Sequence, residues 1–208
     1  MPPKTEHNKE EVRNQILDAA SDLFIEKGYD NATVRAIAKK AGFTAALIYF
    51  YFKNKEGLFY ALQERAFLAF NKAIWEAGSA TENPVERMTK MGRAYIRFGL
   101  EKPSYYDLMF IMREPMCGLP KEHDWHEGEK AFHLLKDTVR ACMELGALPH
   151  RDPEGMALMI WASMHGLVSL NIRGRMTMFD TADLDFLIRD AFNAFDQIML
   201  SSFRLNTK

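Results

Sequence analysis

Apolar residues along this chain recur every three or four positions, and no stretch keeps the period-two alternation of a half-buried strand. The pattern predicts an all-α protein of about nine helices. The first carries Ile16, Ala20, Leu23 and Phe24 as its apolar stripe, opens at Asn8 with Glu11 completing a capping box, and closes at Gly28. Two short helices follow, Thr33 to Ala41 and Ala45 to Tyr51, with a turn at Gly42 between them. A longer helix starts after an Asn54 cap and keeps its spacing through Leu58, Phe59, Leu62, Ala66, Phe70 and Ile74 as far as Gly78.

Farther along, Asn83-Pro84-Val85-Glu86 supplies a cap, an N1 proline and an acidic first turn, so a helix begins there and runs to Glu101 before Pro103 breaks it. A shorter helix is expected over Ser104 to Arg113. Two prolines, two glycines and mixed charges make Glu114 to Gly128 a loop. The remaining helices are expected over Glu129 to Leu145, from Asp152-Pro153 onward, and over Ala182 to Arg204.

Charge changes the picture more by its placement than by its sum. The 208 residues carry a formal charge of only -1, yet Asn31 to Lys55 holds Arg35, Lys39, Lys40, Lys53 and Lys55 with no acidic residue. A cationic window on a helix-turn-helix pattern points to duplex DNA as partner. With 48% hydrophobic residues, 15 Phe and 13 Met, the chain fills a sizeable core. Its first thirteen residues lack the apolar stretch of a secretory signal, so a cytoplasmic location is expected. Cys117 and Cys142 fit neither a metal knuckle nor a redox pair and read as ordinary thiols.

Gly155 to Ile172 contains 18 residues without a formal charge, the lower bound for a membrane span. Ser163, His165, Ser169 and Asn171 interrupt it, and a lone helix offers them no partners in lipid, so no membrane is expected. An all-round apolar helix in a soluble protein is buried on both sides. Together with the wide stripe from Leu184 to Met199 in the last helix, it predicts a homodimer joined through the two C-terminal helices as a four-helix interface.

The residues now form a family pattern: Ile16-Leu17, Ala19-Ala20, Leu23-Phe24, Gly28-Tyr29, Thr33, Ile37-Ala38, Ala41-Gly42, Tyr49, Phe52 and Lys55-Glu56. This run resembles the N-terminal DNA-binding domain of TetR-family transcriptional regulators. Trp161, His165-Gly166, Tyr105-Tyr106, Met109-Phe110 and the Gly146 to Pro153 turn are similar to the subgroup whose ligand domain carries a Trp, His and Gly signature. The resemblance implies a three-helix DNA-binding domain over 1–54 and a ligand-binding and dimerisation domain over 55–208. It implies a repressor that binds a palindromic operator and is released by a small effector; activation is the alternative sign.

The same resemblance puts base contacts on Thr44, Ala45, Ala46, Tyr49 and Tyr51, with Arg35 at the start of the preceding helix. Ala45, Ala46 and Leu47 depart from the commoner Ser, Gly and Thr, so readout leans on methyl contacts. Arg35 suits a bidentate guanine contact. Lys53, Lys55 and the hydroxyls of Thr33, Thr44, Tyr49 and Tyr51 suit phosphates. Phe50 and Phe52 read as packing aromatics. Two reading helices about 34–36 Å apart would demand a near-palindrome.

Phe67, Phe70, Tyr95, Phe98, Met109, Phe110 and Trp161, with Tyr105 and His165 as polar markers, are the expected effector contacts, and Trp75, Met112 and Phe132 add to that surface. No cofactor is expected. His123, His126, Glu127, Glu129 and His133 straddle a loop and no helical face collects them, so metal binding is set aside. No phosphate loop, nucleophile elbow or carboxylate pair marks an enzyme. The competing readings are a non-switching architectural DNA-binding dimer and an enzymatic or ligand-binding helical protein with an incidental basic face.

Overall fold

The computed structural model describes residues 4–112 and 126–204. Cys117, His123 and most of the expected Glu114 to Gly128 loop lie outside those residues. Among the described residues all regular structure is helical: α1 (Lys4–Asn31), α2 (Val34–Ala41), α3 (Ala45–Tyr51), α4 (Lys55–Ser79), α5 (Pro84–Glu101), α6 (Pro103–Tyr106) running on into a π-helical turn (Asp107–Ile111), α7 (His126–Glu144), α8 (Pro153–Ile172) and α9 (Leu184–Arg204). They form two compact units, one holding the chain to Ala66 with Ser104 to Met112, the other Phe67–Pro103 with everything from His126.

The first unit is set by local capping. Helix α1 starts at Lys4, ahead of the expected Asn8 cap, because no glycine or proline interrupts the run from Lys4 to Gly28. Gly28 breaks the helix, with φ 76° and ψ 162°, and one further turn ends at Asn31. The Thr33 hydroxyl caps α2 by accepting from the Ala36 amide at 3.2 Å, and Thr44 caps α3 by accepting from Leu47 at 3.3 Å. Between them Gly42 takes the left-handed conformation at φ 75°, and the Phe43 amide reaches back to Ala38 O at 2.9 Å, which closes the turn in a Schellman arrangement. The Asn54 side chain accepts from the Gly57 amide at 2.8 Å, as the sequence predicts.

The core of this unit includes Ile16, Leu17, Phe24, Ile37, Ile48, Leu58, Phe59 and Leu62. Phe59 meets Phe24 and Tyr29 edge to face, and Phe24 and Tyr29 lie tilted against each other, with centroids 5.3–5.6 Å apart. The first turns of α4 belong to this core, and the compact unit reaches Ala66. Leu108 joins the same core, fully buried. The single helix expected over Ser104 to Arg113 is instead α6 and a π turn: Met112 N donates to Asp107 O at 2.7 Å, and the buried Gln63 amide donates to the Leu108 carbonyl at 2.9 Å.

The second unit packs the rest of α4 with α5, α7, α8 and α9. Asn83 caps α5 by accepting from the Val85 and Glu86 amides, and Asp152 caps α8 by accepting from Glu154 and Gly155, each followed by an N1 proline. Helix α7 starts three residues before the expected Glu129, because Asn71 of α4 donates to both the carbonyl and the carboxylate of Glu127, each at 2.9 Å. Helix α9 starts at Leu184 rather than Ala182, with the Asp183 carboxylate accepting from the Phe186 amide at 2.8 Å. Helices α5 and α9 approach closely at Gly92, where an added Cβ would lie 2.5 Å from Phe192 Cζ.

Candidate nucleic-acid interface and effector pocket

Helix α3 has two faces of opposite character. Ile48 and Phe52 point inward, 1% and 6% exposed, while Tyr49 is 55% and Phe50 72% exposed. Thr44 and Ala46 are also exposed, and Ala45 and Tyr51 are partly so. Phe52 packs as the sequence predicts, under the Arg13 guanidinium at 5.4 Å. Phe50 does not: a seven-residue helix on a small core buries one narrow face, and Phe50 falls outside it. Its ring meets Tyr51 edge to face at 5.4 Å.

Around this face the cations are available. Arg35, Lys39 and Lys53 are exposed and have no carboxylate partner among the described residues. Lys40 is engaged by Asp22 at 3.0 Å. Thr33 and Thr44 use their hydroxyl oxygens as caps, which leaves each hydroxyl proton free to donate to a phosphate. Lys55 is engaged locally: its Nζ donates to Tyr29 O at 2.9 Å and Asp30 O at 3.4 Å and sits 4.1 Å from the Tyr29 ring centroid. This lysine, expected at a phosphate, caps the C-terminal end of α1. Burial, then the charge of Glu56, pushes the Tyr29 phenol above its ordinary range.

The expected effector residues divide between the units. Tyr105, Met109 and Phe110 belong to the first, where Arg65 lies 5.6 Å from the Tyr105 ring and 2.8 Å from Asp18. Phe67, Phe70, Tyr95, Phe98, Trp161 and His165 belong to the second. Trp75 turns out of the core, 62% exposed.

In the second unit Phe70 packs edge to face on Tyr95 and Phe98 at 5.4 and 5.2 Å, and Phe132 meets Trp161 at 6.1 Å. Inside this aromatic wall runs a polar chain. Trp161 Nε1 donates to Tyr95 Oη at 3.1 Å, Tyr95 Oη lies 3.5 Å from His165 Nδ1, and His165 Nε2 lies 3.1 Å from Ser169 Oγ. A neutral imidazole satisfies both neighbours, donating from one ring nitrogen and accepting at the other. Burial, which penalises the cation, pulls the His165 pKa below its ordinary value. Ser169 and Asn71 had no sequence signal marking them, since each acts through a contact made only by folding.

A separate groove of about 270 Å³ opens between α4 and α5, with Ala69, Ala73, Ala94 and Phe98 among its lining residues. Of the expected effector contacts Phe98 alone lines it. Among the described residues no three His, Cys, Asp or Glu side chains converge on a cation position. Glu127, part of the histidine-rich cluster, is held by Lys130 and Asn71, and the Lys130 hydrogen bond keeps its carboxyl below the usual range. Cys142 is buried, and that burial pushes its thiol up to about 11.

Helix α8 is long and apolar enough to cross a membrane, with mean hydropathy 1.3, yet only 22% of that stretch is buried within the chain. Leu158, Met159 and Leu170 of α8 and Phe186 and Ile198 of α9 are 46–64% exposed.

Residues 16–62 match the profile described as bacterial regulatory proteins of the tetR family, and residues 88–194 match the tetracyclin repressor-like C-terminal domain. Among curated proteins, the HTH-type transcriptional repressor Rv1474c of Mycobacterium tuberculosis is 42% identical over 62 residues, 30% of this chain and 33% of its own. The HTH-type transcriptional regulator YdgC of Bacillus subtilis is 44% identical over 140 residues, covering 65% of this chain and 68% of its own. The chain spans about a third of the length of the curated relatives it matches first, such as Rv1474c at 33% and HbdR of Aromatoleum sp. at 38%. Among solved structures, AibR in complex with isovaleryl coenzyme A and operator DNA superposes with a TM-score of 0.73 at 19% identity, covering 91% of this chain and 98% of that one. With its C-terminal profile alone spanning 107 of 208 residues, the chain belongs to the TetR family of bacterial regulatory proteins.

Proposed function

We propose that this chain is a cytoplasmic, ligand-responsive repressor that binds a near-palindromic operator as a homodimer and leaves it when a small apolar or aromatic effector binds. The observation that carries the DNA reading is the outward face of α3, with Tyr49 and Phe50 exposed, together with the exposed Arg35, Lys39 and Lys53, which have no carboxylate partner among the described residues. In the first unit, Thr33, Thr44, Lys53 and Tyr49 hold the phosphates, Arg35 reads a guanine, and Ala45, Ala46 and Tyr51 complete the surface.

The homodimer reading is supported by the apolar faces of α8 and α9, which leave large side chains exposed on one chain. In the second unit, Phe67, Phe70, Tyr95, Phe98, Trp161 and His165 supply an aromatic wall with a polar chain inside it, and this marks the effector site. The spacing of Trp161, His165 and Gly166 supports membership of the Trp, His and Gly subgroup. AibR is a precedent for this fold holding both an acyl thioester and DNA. Because α4 contributes residues to both units, a ligand that favours one arrangement of its second half biases its first.

The test is selection from random duplexes by the purified protein, followed by titration with apolar and aromatic compounds. Enrichment of an inverted repeat, with affinity lowered by at least one compound, is the expected result. Absence of any salt-sensitive duplex binding would overturn it.

A further inference from the structure

The outward face of α3 carries no charge and no amide. Ala46 and Phe50 stand four residues apart on one side of the helix, with Tyr49 beside them, and all three are exposed. The two-pronged hydrogen-bond contacts to a base edge come from guanidinium or amide groups, and this helix has neither. What it has is Phe50, the most exposed aromatic ring of the first unit at 72%, on a helix whose backbone is pinned by Ile48 and Phe52 in the core. The Tyr51 ring meets it edge to face at 84°, which limits its rotation. An exposed phenyl cannot bond a phosphate, and an apolar side chain left in water on a cationic surface gains most by covering another apolar group.

In a major groove the apolar group on a base edge is the C5-methyl of thymine. Resting on the DNA-binding function proposed above, we infer that Phe50 is a specificity-determining residue, its ring seated on a thymine methyl in each half-site, with Ala46 in van der Waals reach of the same strand. Recognition by α3 is then a reading of methyl groups, and the polar discrimination falls to Arg35 on α2. The commitment is to duplex DNA with thymine at that step, because Arg35, Lys39 and Lys53 supply the charge complement that draws the backbone in.

The experiment uses the full-length protein and the duplex enriched by random selection, with each thymine of a half-site replaced in turn by deoxyuridine, which removes only the methyl. For the unaltered protein, one replacement should weaken binding about fourfold, the worth of a buried methyl. The same replacement should have no effect on Phe50→Ala, whose own affinity falls while its thermal midpoint stays put. A flat deoxyuridine scan with binding intact overturns this inference and leaves the DNA-binding function standing. A sensitive thymine that stays sensitive in Phe50→Ala also overturns it. Failure to enrich any duplex removes the function and this inference together.

Discussion

Lys55 holds Tyr29: its ammonium donates to the Tyr29 carbonyl at 2.9 Å and covers the ring at 4.1 Å. A lysine at the foot of a DNA-reading motif is thus tied to the end of α1, and its removal acts through stability. Lys55→Ala should cost about 1–2 kcal/mol, measured by urea denaturation. It should leave the slope of log K against log salt unchanged, whereas Lys53→Ala should lower that slope by about one. A slope loss at Lys55 would mean it leaves Tyr29 for a phosphate on binding.

Arg35 and Lys53 separate preference from attraction. Arg35→Ala should reduce discrimination between the selected operator and random duplex by about 1–3 kcal/mol. Lys53→Ala should weaken both duplexes alike. Competition binding at fixed salt measures both, and equal losses of preference would show that Arg35 does not read a base.

Gly92 lets Phe192 lie against α5, and a methyl there would sit 2.5 Å from the ring edge. Gly92→Ala should destabilise the second unit by about 1–3 kcal/mol through overpacking. Shortening the ring in Phe192→Leu should recover part of that loss in the double variant, a coupling that a double-mutant cycle reads directly.

The half-buried His165 imidazole makes stability depend on pH. Its unfolded pKa is near the ordinary 6.5 and its folded pKa is lower, so between the two the unfolded chain binds more protons. Stability should therefore fall as pH drops below about 6.5 and level off below the folded value. Urea midpoints at pH 7.5 and 5.5 should differ less in His165→Gln than in the natural sequence. The same pH drop in both would assign the effect to another group.

The exposed apolar faces of α8 and α9 predict association. The chain should sediment at about twice its 24.0 kDa, and Phe186→Glu or Leu170→Glu should return the single-chain mass. A 24 kDa species before any substitution would remove the dimer and with it the palindrome.

Elements whose ends are fixed by their own neighbours were legible in the sequence. Thr33, Gly42, Thr44, Asn54, Asn83 and Asp152 each cap or stop a helix through contacts within a few residues. What the sequence concealed depends on distant partners. The earlier start of α7 comes from Asn71, 56 residues away from Glu127, and the π turn accompanies a bond from Gln63 to Leu108 across 45. Lys55 looks like any surface cation until Tyr29, 26 positions earlier, is folded beneath it. Phe50 was misread because period-based reasoning has little grip on a helix of seven residues.

The bond from Gln63 to the Leu108 carbonyl also bears on how such proteins can be recombined. The first unit is not a contiguous stretch of chain: a fragment ending at Ala66 would lack fully buried Leu108 and strand the Gln63 amide without its acceptor. A chimera that grafts this reading head onto another sensor must therefore carry the Ser104 to Met112 segment with it. Fusion at the helix-turn-helix border alone would hand the new host an open seam in its core.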